Sequence, residues 1–346
     1  MNNKHALSRT AILIGALSIA GLSHAANITV ATYGGEWGDA IRDCITQPFT
    51  KASGHTVTPE PGVSGVTLAK LKQQTDKPSI DVAWIDGGVS ELASEAGVLD
   101  ELDPAKIPGL SNVIKQGIYT DAAGKIYAVS TGFYALGLVY NTREAKKAPT
   151  SWNDLWDPEY EGVVTVPSPA NAMGIPFLLA MNTLAGGQPD DVAPGLAKIK
   201  TMKSFAFFDT SGNATNSFQS GEAIMGGHYA SAAWSLADKK LPIAYAVPKE
   251  GALGGDIRLH IVRNTRQPEA ARAFVDFAIA PQQAGCMSNR LYVGPASTGV
   301  ALSDEAKARM PWGRDGSIEN LLMTDWNAVN ARRSAITDQW NRTLAR

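Results

Sequence analysis

The stretch ITVATYGGEW, residues 28–37, contains a strand, a turn and the start of a helix, and this unit recurs along the chain. Residues 28–32 are mostly β-branched, which predicts a strand. The strand stops before Gly34 and Gly35. Residues 37–51 then carry apolar side chains at the spacing of one helix face, which predicts a helix. Strand, turn and helix in this order are typical of a parallel sheet covered by helices.

The same alternation continues through the rest of the sequence. Strands are predicted at residues 56–59, 80–85, 134–141, 162–167, 204–208 and 242–248. Helices are predicted at residues 66–74, 91–96, 171–184, 232–239 and 268–280. The sequence has two α/β series with no low-complexity linker between them, and its length exceeds what one core usually organises. We therefore expect an α/β protein of two lobes joined by crossing strands.

The first 25 residues have the pattern of a Sec-type signal peptide. Lys4 and Arg9 precede an apolar run at residues 11–22, and Ala25 ends a small-residue cleavage motif. A transmembrane anchor is the alternative, but the run is shorter than the roughly 20 residues that a spanning helix needs. We expect a soluble mature chain that begins at Ala26 and is exported to the bacterial periplasm.

Charge argues against nucleic-acid binding. The chain has 31 Lys and Arg residues and 33 Asp and Glu residues. Removal of the predicted signal peptide takes away two of the basic residues, so the net charge of the mature chain, with histidine neutral, is 29 − 33 = −4. Binding to nucleic acid needs clustered positive charge. The sequence therefore predicts no nucleic-acid partner.

Sequence motifs of the common enzyme classes are missing. Gly124 and Lys125 do not complete a phosphate-binding loop, and Gly34 and Gly35 do not complete a dinucleotide motif. No nucleophile elbow or zinc-protease motif occurs, and the mature histidines show no metal-ligand spacing. We expect no enzymatic activity, no cofactor and no metal site.

Four glycine pairs stand beside predicted strands: Gly34 with Gly35, Gly87 with Gly88, Gly226 with Gly227, and Gly254 with Gly255. Ligands of open parallel sheets bind outside the carboxyl ends of the strands, and glycine lets the backbone approach a ligand closely. Ordinary turns are the alternative for each pair. Residues 221–225 in particular are expected to lead into a turn at the third pair. Four pairs together favour a shared cleft.

Two cysteines, Cys44 and Cys286, lie far apart in the sequence. In an oxidising compartment they can form one disulfide. Two buried free thiols are the alternative.

Five segments in this order resemble the periplasmic solute-binding proteins of ABC importers, and among them the spermidine/putrescine-binding proteins. They are ITVATYGGEW at residues 28–37, IDVAWIDGG at 80–88, SWNDLWDPEYEGVVTVP at 151–167, GEAIMGGHYASAAW at 221–234 and YAVPKEGA at 245–252. The most specific parts are SWNDLWDPEYEG at residues 151–162 and VPKEGA at residues 247–252. The resemblance covers nearly the whole mature chain.

The resemblance implies a two-lobed periplasmic binding protein fold of the type II kind, in which each lobe is a central sheet flanked by helices and two crossing strands form the hinge. Lobe I would comprise residues 26–131 and 259–310, and lobe II residues 132–258 and 311–346. The protein would bind a small solute by lobe closure, act as a monomer and deliver the solute to an inner-membrane ABC permease.

Relatives of this kind carry polyamines, γ-aminobutyrate-like amino acids, aminophosphonates, thiamine or ferric ion. An amine needs carboxylates and aromatic faces. Phe133 and Tyr134 lie at the first crossing. The candidate ligand-binding residues are Tyr33, Gly34, Gly35, Glu36, Trp37, Trp84, Asp86, Thr131, Phe133, Asn171, Asp209, Thr210, Tyr229, Trp234, Glu250 and Asp256. For Trp84 and Trp234 the alternative is packing in the core. For Glu36 the alternative is a place in the first turn of its helix, where an acidic side chain interacts favourably with the helix dipole.

One departure bears on the ligand. Polyamine binders show an aromatic residue shortly after PKEG and an aspartate two residues further on, whereas here the aromatic is missing and Asp256 is displaced by about one position. Hydroxyl and amide donors near Thr131, Asn171 and Thr210 suit a carboxylate. We expect an ω-amino acid such as γ-aminobutyrate, or a polyamine such as putrescine or spermidine. The alternatives are an aminophosphonate, thiamine, ferric ion (although no two tyrosines are adjacent), an exported enzyme and a chemoreceptor module.

Overall fold

The computed structural model describes residues 25–344, so residues 1–24 of the predicted signal peptide lie outside the described residues. Within the described range, no helix has the length and apolar character that crossing a bilayer requires. The chain alternates strands and helices as predicted, and its strands join one continuous sheet.

The first half of the sheet contains three parallel strands that are flanked by helices. The strands are β1 (Asn27–Thr32), β2 (Thr56–Pro61) and β3 (Val82–Asp86), in the order β2–β1–β3. The helices between and after them are α1 (Gly35–Ile41), α2 (Gln47–Ser53), α3 (Ser64–Gln73) and α4 (Val89–Glu95). A π-helical segment, Arg42–Thr46, joins α1 to α2, so that the predicted helix at residues 37–51 is continuous.

Both faces of this half-sheet are buried. On one face Val30 and Trp84 pack with Phe274, and on the other Ala31 and Ile85 pack with the helices. Period-two alternation of this kind, with apolar residues on both faces, is the pattern of a sheet covered by helices on both sides.

A 16-residue strand, β5 (Ile126–Asn141), runs through the whole sheet. Its first part pairs with β4 (Ile118–Thr120), its middle with β10 (Ala252–Ile261), and its last part with β8 (Met225–Tyr229) and β9 (Ile243–Ala246). β10 in turn pairs with β3 at its carboxyl end. β5 and β10 are therefore the two crossing strands. Two such strands were predicted, but the sequence pattern indicated no strand at residues 252–261.

The second half of the sheet is built on the far end of β5. β6 (Val164–Pro167), β7 (Ala206–Phe208) and β8 are parallel, and β11 (Leu321–Met323) pairs with β10. The remaining helices are α5 (Gly174–Leu184), α6 (Ala193–Lys200), α7 (Ser211–Ser220), α8 (Ala230–Asp238), α9 (Pro268–Ala278), α10 (Pro281–Leu291), α11 (Asp304–Ala308), α12 (Trp326–Asn330) and α13 (Arg333–Leu344). The fold is thus the predicted α/β architecture of two sheet halves with crossing strands. The residue bounds given above for the two lobes stay a prediction.

One predicted turn is wrong. Gly226 and Gly227 lie inside strand β8, not in a turn after it. A Cβ atom on Gly226 would stand 2.2 Å from the backbone oxygen of Thr165 on the neighbouring strand β6. The pair therefore serves close packing between strands.

Cys44 and Cys286 form a disulfide, with their Cα atoms 5.6 Å apart. It joins the π-helical segment after α1 to helix α10. The alternative of two free thiols is wrong.

A candidate ligand cleft between the sheet halves

The carboxyl ends of the parallel strands carry polar and aromatic side chains in both halves of the sheet. In the first half, Tyr33 follows β1 and Asp86 ends β3. In the second half, Ser168 follows β6, Asp209 follows β7 and Tyr229 ends β8. Open α/β sheets bind ligands at this edge. The positions agree with the expectation from the sequence.

Asp86 is the carboxylate at the centre of this edge. The Ser64 hydroxyl donates a hydrogen bond of 2.6 Å to one carboxylate oxygen, and the Tyr134 hydroxyl donates one of 3.3 Å to the other. Asp86 keeps partial solvent access. Burial nevertheless raises the pKa of Asp86, and the negative charge of Asp256 adds to the rise, while the two hydrogen bonds oppose it. An approaching cation would favour the charged form.

Four aromatic rings in mutual contact adjoin this carboxylate through Tyr134, and we call them the aromatic group: Tyr33, Trp37, Tyr134 and Tyr229. Ring centroids are 6.1 Å apart for Tyr33 and Trp37, 6.4 Å for Trp37 and Tyr134, and 5.5 Å for Tyr134 and Tyr229. All three pairs meet edge to face, a favourable geometry. A carboxylate among aromatic faces is the surrounding that an ammonium group prefers.

The hydroxyl of Tyr33 is buried, and among the described residues it has no partner with ordinary hydrogen-bond geometry, although Ser64 and Asp86 lie near it. Burial raises the pKa of Tyr33 well above its ordinary value, and the nearby charge of Asp86 contributes to the rise. Buried hydroxyl groups are normally hydrogen-bonded. An unpartnered one beside Asp86 is a group available to a ligand.

Tyr134 reaches Asp86 because β10 has a glycine opposite it. Tyr134 pairs with Gly255 across the two crossing strands. A Cβ atom on Gly255 would stand 2.4 Å from the Tyr134 ring. The glycine therefore leaves the space in which the ring lies.

A polar cluster in the second half of the sheet borders Tyr229. The Tyr229 hydroxyl donates to the Asn171 side-chain oxygen at 2.7 Å, and the Asn171 amide donates to the backbone oxygen of Asp209 at 3.2 Å. The Ser168 hydroxyl donates to the Asp209 carboxylate at 2.5 Å. Thr210 is the N-cap of α7, where its hydroxyl accepts from the Asn213 backbone at 3.2 Å. These groups form a polar cluster at the carboxyl ends of β6, β7 and β8.

Glu36 bridges the two halves at the rim. It lies in α1 next to Gly34 and Gly35, and its carboxylate accepts hydrogen bonds from Ser235 and, at 3.0 Å, from Lys239. Ser235 belongs to α8, and Lys239 follows it directly. The structure thus pairs Glu36 with groups of the opposite half.

Several predicted site residues have structural partners away from this group. Trp84 is 2% exposed and donates to the Thr131 hydroxyl at 3.0 Å. Phe133 packs near Trp312 on the other face of β5. Such contacts indicate core roles for Trp84, Thr131 and Phe133.

Two more predicted site residues also make contacts elsewhere. The Glu250 carboxylate accepts from the Ser151 hydroxyl at 2.5 Å and from the Trp152 backbone at 3.1 Å, so it holds the turn at residues 151–156. Trp234 lies in α8 with the Arg309 guanidinium 5.2 Å from its ring centre. Neither residue is joined by these contacts to the aromatic group.

Asp256 lies in a buried ion cluster. It is fully buried, and one of its oxygens accepts from the Arg258 guanidinium at 2.8 Å and from the Tyr119 hydroxyl at 2.7 Å. Arg258 also donates to Glu91 at 2.6 Å. Arg258 and Tyr119 therefore occupy one oxygen of Asp256, while its other oxygen, Oδ1, is buried without a partner among the described residues.

The two buried histidines are neutral. Burial lowers the pKa of both His228 and His260 to about 3. His260 Nδ1 lies 3.0 Å from the Ala83 carbonyl, which can only accept, so its Nε2 accepts from the Ser90 hydroxyl at 2.8 Å. Among the described residues, no group of three or more His, Cys, Asp or Glu side chains is placed to hold a metal ion.

Ser64 is a group at this edge that was not considered from the sequence, whereas Tyr134 was named with Phe133 at the first crossing. Ser64 and Ser168 bind the two carboxylates from segments with no recognisable motif. Tyr134 lies at the first crossing. Successive side chains of a strand point to opposite faces of the sheet, so the position of Tyr134 in β5 could have been used to place it on the face opposite to Phe133. For Ser64 the sequence holds no such signal.

The chain is similar to known binding proteins over most of its length. It is 29% identical over 297 residues to a spermidine/putrescine-binding periplasmic protein of Haemophilus influenzae, covering 83% of this chain and 79% of that one. It is 23% identical over 311 residues to a gamma-aminobutyric acid-binding protein of Pseudomonas aeruginosa, covering 86% and 84%. An ABC transporter substrate-binding protein of Bradyrhizobium japonicum has the same fold, with a TM-score of 0.79 at 20% identity over 92% of this chain and 99% of that one.

A family model also covers most of the chain. Residues 45–311 match the model of the bacterial extracellular solute-binding proteins. The matched region includes both crossing strands and most of the strand ends that line the cleft. The chain therefore belongs to the bacterial extracellular solute-binding protein family.

Proposed function

We propose that this protein captures a small solute with a primary ammonium group in the periplasm and delivers it to an inner-membrane ABC permease. The observation that carries this proposal is the Asp86 carboxylate beside the aromatic group. The similarity to polyamine- and gamma-aminobutyric acid-binding proteins supports it.

The ammonium end of the solute binds at Asp86. Burial destabilises the charged form of Asp86 and so raises its pKa. A bound ammonium group stabilises that charged form and offsets this cost. Ring faces of the aromatic group contribute cation–π attraction, which is worth roughly 2 kcal/mol or more in a desolvated site. The unpartnered Tyr33 hydroxyl supplies a further hydrogen bond.

The far end of the solute faces the second half of the sheet. The hydroxyl and amide groups of Ser168, Asn171 and Tyr229 suit a carboxylate, which favours an ω-amino acid such as γ-aminobutyrate. The Asp209 side chain is exposed beside them and suits a second ammonium group. That carboxylate supports a diamine such as putrescine as the second candidate.

Binding proceeds by closure of the two lobes about β5 and β10. Tyr33 and Asp86 hold the solute from one side, and Tyr229 and its polar neighbours close over it from the other. Closure removes water from the ammonium group and strengthens each charged contact. The protein performs no chemistry in this mechanism, since neither buried histidine is placed in the cleft as a base. We propose that it acts as a monomer.

The test is a binding screen with the mature chain, residues 26–346, after unfolding and refolding to remove bound solute. The probes are γ-aminobutyrate, putrescine and spermidine, measured by thermal shift and calorimetry. A solute at a hundredfold excess over its Kd stabilises the folded state by about 2.7 kcal/mol. No response to any of the three would overturn the amine assignment.

Asp86→Asn is the decisive variant. It keeps the side-chain shape but removes the charge, so we expect binding to weaken by about tenfold to a hundredfold with no loss of melting temperature. Asp81→Asn is the matched control. Asp81 precedes the same strand at its other end and accepts from Thr29 and Thr265, so its loss should lower stability and leave affinity unchanged.

A further inference from the structure

The carboxyl-terminal segment reaches from the second half of the sheet to the turn that follows Asp86. Its helix α13 is anchored by Trp340, whose ring packs edge to face on Phe207 with centroids 5.3 Å apart. The Arg332 guanidinium donates to the backbone oxygens of Asp190, at 2.6 Å, and Pro189. These contacts hold the segment on the second half.

At its other end the segment contacts Gly88. The Asn330 amide nitrogen donates a hydrogen bond of 2.8 Å to the Gly88 backbone oxygen. The Arg333 guanidinium donates to the Asn330 side-chain oxygen at 2.9 Å, which fixes the amide with its nitrogen toward Gly88. Trp326 also lies against this turn, since a Cβ atom on Gly88 would stand 2.6 Å from its ring.

The first half of the sheet holds the same turn through its N–H groups. The Gly88 nitrogen donates to the Glu91 carboxylate at 2.6 Å, and the Gly87 nitrogen donates to the Asp256 backbone oxygen at 3.2 Å. Gly88 has φ +88°, a conformation that glycine adopts without strain. The turn is therefore held from both halves of the molecule, and Asp86 precedes it directly.

We infer that Asn330, oriented by Arg333, is a positioning residue for Asp86. Its hydrogen bond joins the carboxyl-terminal segment to the turn that follows Asp86, so it couples the placement of the ligand carboxylate to the segment held on the second half of the sheet. The expected effect of Asn330 on ligand affinity rests on the function proposed above. Its expected effect on the stability of the turn at Gly87 and Gly88 is independent of that function.

The test compares Asn330→Ala with Asn327→Ala. Asn327 lies one turn earlier on the same helix and is exposed, so the same chemical change is made there without touching Gly88. Hydrogen exchange of the Gly87 and Gly88 amides is measured first, in the ligand-free protein. We expect Asn330→Ala to speed exchange at both amides by about fivefold or more, and Asn327→Ala to leave it unchanged. Equal exchange in the two variants would overturn the inference.

Affinity for putrescine and γ-aminobutyrate is measured second. Asn330→Ala should weaken binding by about threefold to tenfold, mainly through faster dissociation, with the ligand-free melting temperature kept. A lowered melting temperature with unchanged affinity and exchange would mean that Asn330 only packs the segment. Asn330→Asp repeats the test with the side-chain volume kept, because its carboxylate still accepts from Arg333 but cannot donate to Gly88.

The two proposals fail differently. If neither probe binds the unaltered protein, the amine function fails, and the exchange measurement alone decides the role of Asn330. If the probes bind but exchange at Gly87 and Gly88 does not respond to Asn330→Ala, the positioning role fails and the function stands.

Discussion

At the scale of single residues, the unpartnered hydroxyl of Tyr33 makes a prediction with two parts. Tyr33→Phe removes a buried polar group that has no hydrogen-bond partner in the described part of the chain, so the ligand-free protein should gain about 1 kcal/mol in the free energy of unfolding. The same change removes a hydrogen bond to the ligand, so affinity should fall by about fivefold. Urea unfolding and calorimetry with putrescine and γ-aminobutyrate measure the two effects.

Tyr245→Phe is the control for this pair of effects. The Tyr245 hydroxyl is also buried without a hydrogen-bond partner in residues 25–344, but Tyr245 packs with Trp234 and not with the aromatic group. It should stabilise the protein and leave affinity unchanged. Equal binding losses in the two variants would show that the Tyr33 hydroxyl does not meet the ligand.

The raised pKa of Asp86 predicts how affinity depends on pH. In the ligand-free protein the pKa of Asp86 lies above 3.8, its ordinary value, so the group favours folding at low pH and loses this contribution as pH rises through its folded pKa. A bound ammonium favours the charged form instead. Affinity should therefore fall as pH is lowered, beginning above pH 3.8, and binding there should release a proton. Calorimetry in buffers of different ionisation enthalpy measures this, and Asp86→Asn should abolish the dependence.

Some site residues could be predicted from the sequence and others could not. Tyr33, Asp86 and Tyr229 were expected because strand ends of a parallel sheet meet at one edge, and a strand end can be read from a local pattern. Asp256 also ends up near that edge, but its pairing with Arg258 depends on the alternation of β10. Arg258 is only two residues away on the same strand, whereas Tyr119 and Glu91, the other members of this ion cluster, are distant in sequence and have no local signal.

At the scale of elements, the glycine in β10 opposite Tyr134 is predicted to control the aromatic group. Gly255→Ala places a methyl group 2.4 Å from the Tyr134 ring, which is packed between Trp37 and Tyr229. The ring must move away from Asp86. We expect a loss of about 1–3 kcal/mol in stability and a marked loss of affinity, measured by urea unfolding and calorimetry.

The neighbouring glycine provides the comparison. A Cβ atom on Gly254 would stand 2.3 Å from the sulfur of Met323 and 2.8 Å from Cβ of Leu321, both in β11, so it would strain the contact of β10 with β11 and not the Tyr134 ring. Gly254→Ala should therefore leave affinity close to that of the unaltered protein. If both variants lose binding equally, the cause is the crossing strand as a whole and not Tyr134.

The order of elements was predictable, but the role of glycine within them was not. Hydrophobic alternation placed strands near residues 28–32, 80–85 and 134–141, where β1, β3 and β5 lie. The same local pattern could not tell a glycine in a turn from one in a crowded strand, as Gly226 shows. That difference depends on which strand lies alongside.

At the scale of the whole molecule, the disulfide is predicted to affect stability and not binding. Cys44 and Cys286 are 242 residues apart in sequence, and both elements that it joins lie on the same side of the crossing strands under the predicted lobe bounds. Replacing both by Ala should lower the free energy of unfolding by about 2–4 kcal/mol. Affinity should stay within about twofold, because closure does not strain the bridge. A large change of affinity would place the bridge between the moving parts.

The bridge at the cleft rim gives a prediction about closure itself. Glu36 is paired with Lys239 across the two halves, and both side chains are about half exposed. An exposed ion pair contributes about 0–1 kcal/mol, so Glu36→Gln should weaken binding by no more than about fivefold. The loss should vanish near 1 M salt, where the Debye length is about 3 Å. Calorimetry across ionic strength measures it.

The two roles of Glu36, rim bridge and ligand contact, are separated by a double-mutant cycle with Lys239→Met. If Glu36 acts only through Lys239, each single variant loses the same affinity and the double variant loses no more. If Glu36 touches the ammonium group directly, Glu36→Gln costs more than Lys239→Met, and the excess persists at high salt because a desolvated contact is poorly screened. Lys240→Met, an exposed neighbour, should change nothing. The additional loss of affinity in Glu36→Gln at high salt therefore decides whether Glu36, as well as Asp86, contacts the ammonium group of the ligand.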